Sequence, residues 1–180
     1  MFSDYYFFNS VTKVVFINRM SSIKIRSIEY KDNEAIALVI RSVLLEMGVP
    51  KIGTAYEDES LDKMYETYSK DNQMYFVLEE EGKIVGGAGI APLKNEDITI
   101  CELQKMYFLS EVRGKGVGFM MINTCLDFAK EQGFLKCYLE TMPYMTAARK
   151  LYKKVGFQDL EKPVGNTGHY SCHAWMIKDL

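Results

Sequence analysis

Apolar and polar residues alternate along Ile23-Lys-Ile-Arg-Ser-Ile28, which predicts a first strand. Asp32-Asn33 then offers caps for a helix from Glu34 to Met47, closed by Gly48 with Pro50 beyond it. After a loop from Val49 to Tyr56, a second helix is predicted over Ser60–Lys70, with Glu57, Asp58, Glu59 and Asp62 at its positive end. Met74–Glu80 and Lys83–Ala91 read as strands joined by the hairpin signal Glu81-Gly82. A turn at Asn95–Asp97 leads into the β-prone run Ile98–Leu109. From Val117 to Lys130 the period changes, and Val117, Met121, Cys125 and Phe128 fall near one helical face, with Phe128 and Phe134 read as core. A strand over Leu135–Thr141 and a helix from Thr146 to Val155 follow, stopped by Gly156. Strands at Gln158–Leu160 and His169–Ile177, joined by the Pro163–Gly168 loop, complete the order β-α-α-β-β-β-α-β-α-β-β. No internal repeat or low-complexity linker interrupts it.

Between the strand ending at Leu109 and the helix starting at Val117 lies Arg113-Gly114-Lys115-Gly116-Val117-Gly118. Strand, glycine-rich turn and helix is a layout that gathers free backbone N–H groups at the positive end of a helix dipole, which suits phosphate. Gly114, Gly116 and Gly118 let a ligand approach the backbone, while Arg113 and Lys115 add positive charge. The dinucleotide pattern G-x-G-x-x-G fails, because its last glycine would be Phe119 or Met121. The Walker pattern also fails, since Leu109 and Gly116 stand where Gly and Ser or Thr are required. What remains is Arg-x-x-Gly-x-Gly directly after a strand; the competing reading is a surface turn rich in Gly and Lys.

This loop resembles the acyl-CoA pyrophosphate loop of the GNAT superfamily of N-acetyltransferases. A second segment, Ala148-x-x-x-Tyr152-x-x-x-Gly156-Phe157, is similar to the superfamily's other signature, a short helix ending at Gly-Phe. The resemblance runs from about Ile23 to Ile177, with one departure: Met145 stands where many relatives carry Asn, so a cap or cofactor contact from that position is not carried over. The resemblance implies an α/β (α+β) fold of one GNAT-like domain, with a mixed, mostly antiparallel sheet splayed at its centre and about four flanking helices. It implies acetyl-CoA as co-substrate, held by the Arg113–Phe119 loop and by Met106, Tyr107 and Phe108 on the preceding strand. It also implies Tyr152 as the acid for the coenzyme A sulfur and Glu102 as the base for the amine. Glu140 and His169 are rival groups for the base, and each of these side chains has a bland alternative as a packed tyrosine, a solvent-facing carboxylate or an ordinary loop histidine.

Bulk properties narrow the classes further. A chain of 180 residues fits one domain with a substantial core. With 22 basic and 24 acidic residues, the net charge of −2 argues against a nucleic-acid surface. Cys101, Cys125, Cys137 and Cys172 lack C-x-x-C spacing and fall in predicted strands or a helix, so buried reduced thiols are expected rather than zinc or disulfides. No metal is expected, no apolar run approaches a membrane span, and a cytoplasmic location is expected. Residues 1–19 read as an N-terminal extension, either disordered, an added strand or a start-site artefact, with the domain proper at 20–180. A homodimer is compatible with the sequence but has no signal in it.

The leading expectation is therefore acetyl transfer from acetyl-CoA to a primary amine, small molecule or peptide, by direct attack in a ternary complex. A covalent route through Cys101 or Cys137 lacks a neighbouring histidine or other activating group. The alternatives are a non-catalytic acyl-CoA sensor and an interaction module.

Overall fold

The computed structural model describes residues 23–180; the extension at 1–19 lies outside them. Seven strands form one sheet: β1 (Ile23–Ser27), β2 (Met74–Glu80), β3 (Lys83–Pro92), β4 (Ile100–Phe108), β5 (Lys136–Thr141), β6 (Gln158–Leu160) and β7 (Ala174–Asp179). Their order is β1-β2-β3-β4-β5-β7-β6, and every neighbouring pair is antiparallel except β4–β5. Four α-helices accompany them: α1 (Asn33–Glu46), α2 (Met64–Thr67), α3 (Val117–Glu131) and α4 (Thr146–Lys154).

Alternation along the strands divides the core between two faces. Tyr75 and Val77 join Ile36, Ile40 and Leu44 of α1, with Leu61, Met64 and Tyr68 beneath them. Leu78, Ile90 and Leu139 turn to the other face and pack with Met121, Ile122, Cys125 and Leu126 of α3. Phe134 is buried as expected; Phe128 is half-buried and meets Phe76 edge-on at 5.9 Å.

Two predicted elements change. The helix expected over Ser60–Lys70 is a 3₁₀ turn, Glu59–Lys63, followed by the single α-turn of α2. The chain breaks at Lys63 (φ −137°, ψ 44°), and the hydroxyls of Thr67 and Ser69 take the carbonyls of Lys63 and Tyr65, in place of a longer helix. The last strand begins at Ala174 rather than His169, because residues 165–173 form hydrogen-bonded turns.

The centre of the sheet positions the site. β4 pairs with β5 only through Ile100–Glu102 and Lys136–Tyr138. Beyond that point β4 stays with β3 while β5 stays with β7, so the two halves part. The pairing of Gly87 with Tyr107 and Gly89 with Gln104 leaves one extra residue in β4, a β-bulge at which Lys105 adopts φ 50°. The Tyr75 hydroxyl holds this bulge by donating to the Lys105 carbonyl at 2.8 Å. Tyr75 fits because β3 is glycine at its partner Gly89 and at the diagonal Gly87, where a Cβ would lie 2.5 Å from the Tyr75 ring and 2.7 Å from the Phe76 carbonyl oxygen. Gly87→Ala is therefore expected to destabilise the fold by about 1–3 kcal/mol, a loss of several degrees in Tm. Thermal unfolding checks this, and an unchanged Tm would show that the Tyr75 contact is not tight.

Candidate active site

The parted strands open into a cleft of about 470 Å³. One end is bordered by the glycine loop. After β4, Leu109 donates its N–H to Val85, a 3₁₀ turn spans Ser110–Val112, and Arg113 N–H returns to the Ser110 carbonyl. The chain then turns through Gly114 (φ 76°) and Gly116 (φ 81°), and Gly116 caps α3 in the left-handed conformation. A side chain at either glycine would meet no protein atom within 4 Å, so within the protein it is the positive φ that calls for glycine. Among the described residues, the amides of Gly114, Lys115, Gly116, Val117 and Gly118 donate no hydrogen bond. No acidic residue stands in the first turn of α3. Five consecutive free amides at a positive helix end are an arrangement suited to an anion.

The side chains expected to assist this loop divide. Gly114, Val117, Gly118 and Arg113 line the cleft, as do Met106, Tyr107 and Phe108; Lys115, Gly116 and Phe119 lie outside the lining. The Arg113 guanidinium is already engaged: Nε donates to the Phe108 carbonyl at 2.7 Å, and both terminal nitrogens reach Glu46 at 2.7 and 2.8 Å. Arg113 thus ties the loop to the end of α1, and its positive charge is shared with a carboxylate. Lys115 stands 3.7 Å from Glu80, and Phe119 lies under the Lys154 ammonium.

Tyr152 projects from α4 into the cleft wall, 7% exposed and 6.0 Å from the Phe157 ring. Burial pushes its pKa up to about 12, so the phenol stays protonated at neutral pH. Its hydroxyl has no hydrogen-bond partner among the described residues and is not sealed from solvent.

At the opposite end, β4 supplies Glu102, Gln104 and Lys105, and β5 supplies Glu140. Glu102 is buried at the point where the strands separate. Burial raises its pKa, partly opposed by a 2.6 Å hydrogen bond from Gln104 to Oε2. Tyr68 fixes that amide by donating to Gln104 Oε1 at 2.7 Å. Glu140 is spent on structure, since Tyr138 and Thr167 donate to its two oxygens at 2.7 and 2.9 Å. His169 also lines the cleft, with Nε2 3.2 Å from Asp58 Oδ1; the same carboxylate receives Lys105 Nζ at 2.5 Å. Asp58, Lys105, Gln104 and Tyr68 were not singled out from the sequence. Asp58 stood in the acidic run Glu57–Glu59, which reads as a solvated helix start, and only the tertiary fold pairs it with residues 47 and 111 positions away.

The thiols fall as expected with one exception. Cys101, Cys125 and Cys137 are buried and free. Cys172 lies in a turn before β7, not in a strand, and lines the cleft half-buried. Burial pushes its pKa up to about 12, so at neutral pH it is a thiol with little nucleophilic character.

Comparisons with known proteins agree with this geometry. The model of the Acetyltransferase (GNAT) family matches residues 42–157, more than half of the chain. The chain belongs to the GNAT family. It is 43% identical over 156 residues to the uncharacterized N-acetyltransferase YjgM of Escherichia coli, covering 86% of this chain and 93% of that one. Human N-acetyltransferase 8B is 31% identical over 110 residues, 59% of this chain; the chain spans under half of that longer protein. A GNAT acetyltransferase structure from Staphylococcus aureus superposes with a TM-score of 0.77 at 20% identity, over 88% of this chain and 99% of that one. The PaiA N-acetyltransferase of Thermoplasma acidophilum, solved in complex with coenzyme A, gives 0.64 at 19% identity over 88% and 99%. The protein is accordingly an acyltransferase of this family with the GNAT fold.

The buried Glu102 carboxylate costs the fold free energy in proportion to its ionisation. A carboxyl group whose folded pKa is raised carries no such cost below its unfolded pKa and the full cost above its folded pKa. Glu102→Gln should therefore raise Tm at about pH 8, by roughly 2–4 °C per kcal/mol recovered, and raise it less near pH 4. Thermal melts at both pH values check this; a Tm that falls more at pH 8 would mean the carboxylate stabilises the fold.

Proposed function

We propose that this protein transfers acetyl from acetyl-CoA to a primary amine by direct attack within a ternary complex in the cytoplasm. The observation that carries the reading is the row of five unpaired amides, Gly114–Gly118, at the border of a cleft that Gly114, Val117 and Gly118 line, between strands whose facing edges are free. In this reading the amides hold the diphosphate of the donor. The backbone of β4 at Met106, Tyr107 and Phe108 runs along the pantetheine arm, and an N–H there faces the thioester oxygen as negative charge builds on it. The acceptor enters from the other end, past Glu102 and His169. Holding amine and thioester together supplies much of the acceleration, since oriented reactions reach effective molarities of about 10⁵ M or more.

Tyr152 meets the departing sulfur. A phenol with a pKa near 12 is a weaker acid than a thiol of about 8.5, so its part is to donate a hydrogen bond as charge develops on sulfur. Glu102 holds the amine through the oxygen that Gln104 leaves free, and its negative charge favours the ammonium that forms during attack. The three buried free cysteines suit a reducing compartment, and among the described residues no helix is long and apolar enough to cross a membrane.

Release of free thiol from acetyl-CoA against a panel of small amines and amino-terminal peptides tests the reading. Amine-dependent release supports it; tight acetyl-CoA binding with no release on any amine would favour a sensor, and no binding at all an interaction module. Within an active system, Tyr152→Phe should lower kcat by about 10²-fold and leave acetyl-CoA affinity within a factor of about two. An unaltered kcat would remove Tyr152 from the reaction.

A further inference from the structure

We propose that His169, oriented by the Asp58 carboxylate, is the catalytic base that takes the proton from the attacking amine. Asp58 is then a positioning residue, and Glu102 the anchor for the amine. The proposal rests on the acetyl-transfer reading and assigns the proton path that reading leaves open.

Asp58 immediately precedes the 3₁₀ turn Glu59–Lys63. Its carboxylate receives Lys105 Nζ at 2.5 Å and lies 3.2 and 3.3 Å from His169 Nε2 through its two oxygens. The Lys105 side chain is only 7% exposed, so its ammonium is a fixed charge beneath the site. Burial alone would raise the Asp58 pKa, but the His169 hydrogen bond and the Lys105 charge outweigh it and hold the carboxyl far below its usual range. An ionised carboxylate only accepts hydrogen bonds, so His169 Nε2 must carry the hydrogen. In the neutral ring the lone pair is then on Nδ1. That atom has no partner among the described residues and is not closed off from solvent, while the ring lines the cleft with Glu102.

The ring is also held in place. His169 N–H donates to Thr167 Oγ1 at 3.1 Å, Thr167 donates onward to Glu140, and the His169 carbonyl receives Cys172 N–H at 2.9 Å. Two neighbouring loops are joined there as well, because Ser171 N–H and Oγ reach the Gly53 and Ile52 carbonyls. The ionisable groups around the ring are Asp58 from the loop before α2, Lys105 and Glu102 from β4, Glu140 from β5, and Cys172 beside it. Glu102 is less suited to carry the proton away: it is 4% exposed and one oxygen is committed to Gln104.

The chemistry balances without a further reagent. The amine lone pair forms the C–N bond at the thioester carbon, and the C–S bond breaks, leaving a thiolate hydrogen-bonded by Tyr152. A proton already on the attacking nitrogen passes to His169 Nδ1, and the imidazolium, facing Asp58, later releases it to solvent. This is the role a carboxylate plays behind a catalytic imidazole in hydrolases: it fixes the tautomer and the orientation of the ring.

The chain has two histidines, and the second supplies an internal contrast. His173 Nδ1 lies 2.8 Å from the Ser171 carbonyl, which fixes the opposite tautomer with hydrogen on Nδ1. Long-range ¹H–¹⁵N correlation spectra of the full chain at about pH 8, where imidazoles are ordinarily neutral, should show one ring of each kind. His173→Gln should remove the Nδ1–H ring and leave His169 as Nε2–H; an Nδ1–H form at His169 would overturn the proposal. In the thiol-release assay, His169→Gln should lower kcat at least tenfold with the KM for acetyl-CoA unchanged. Asp58→Asn should lower kcat similarly and also disturb the His169 tautomer. Should Asp58→Asn fail to fold, because Lys105 loses its partner, the wild-type spectrum and His169→Gln still decide the matter. A wild-type enzyme active on an amine with an equally active His169→Gln variant sinks this proposal alone. A wild type inactive on every amine sinks the acetyl-transfer reading, and this proposal with it.

Discussion

The site exists because β4 and β5 pair for only three residues and then follow different neighbours. That parting is built in from both sides. On β4, the extra residue at Lys105 turns the strand, the Tyr75 hydroxyl secures the turned carbonyl, and Asp58 draws the Lys105 side chain toward the loop before α2. On β5, antiparallel pairing with β7 continues through Glu140 and Thr141, well past the last contact with β4. Backbone hydrogen bonds left unmade in a sheet forgo about 1 kcal/mol each, so an opening of this size is a real cost to the fold. A ligand that inserts between the edges recovers part of it, which fits an extended amide-bearing arm better than a compact one.

The two ends of the opening differ in electrostatic character, and on the proposed reading that difference orders the reactants. Beside the loop, free amides and the positive end of α3 favour an anion, with Arg113 drawn back toward Glu46. At the other end Glu102, Glu140 and Asp58 outnumber Lys105, and favour a group that carries or acquires positive charge. On the proposed acetyl-transfer reading, donor phosphate and acceptor nitrogen are thus sorted before any bond is made. Tyr152, from α4, stands in the wall between them as a protonated phenol.

Local chemistry made the donor end legible in the sequence. Gly114 and Gly116 are needed for their own backbone angles, and a strand-turn-helix order is a property of contiguous residues. At Gly114 and Gly116 the protein itself sets only the positive φ, since no protein atom would meet a side chain there. Arg113 belongs to the loop, but its partner Glu46 is 67 residues away and changes what its charge can do. The acceptor end was the harder half for the same reason. Glu102 and His169 could be named, yet the carboxylate that sets His169 belongs to a run of acids that reads as a helix start. The helix expected over Ser60–Lys70 gives way to shorter turns because Leu61 and Met64, spaced three apart, suit a 3₁₀ turn as well as an α-helix, and side-chain hydroxyls close α2 after one turn.

The most direct measurement is residue-resolved amide hydrogen exchange of Gly114–Gly118, with and without saturating coenzyme A. A diphosphate held by these five N–H groups predicts strong slowing at each of them on binding, while exposed loops away from the cleft, such as Glu81-Gly82, stay unchanged. Coenzyme A that binds tightly yet leaves the exchange of residues 114–118 as fast as in the free protein would contradict it.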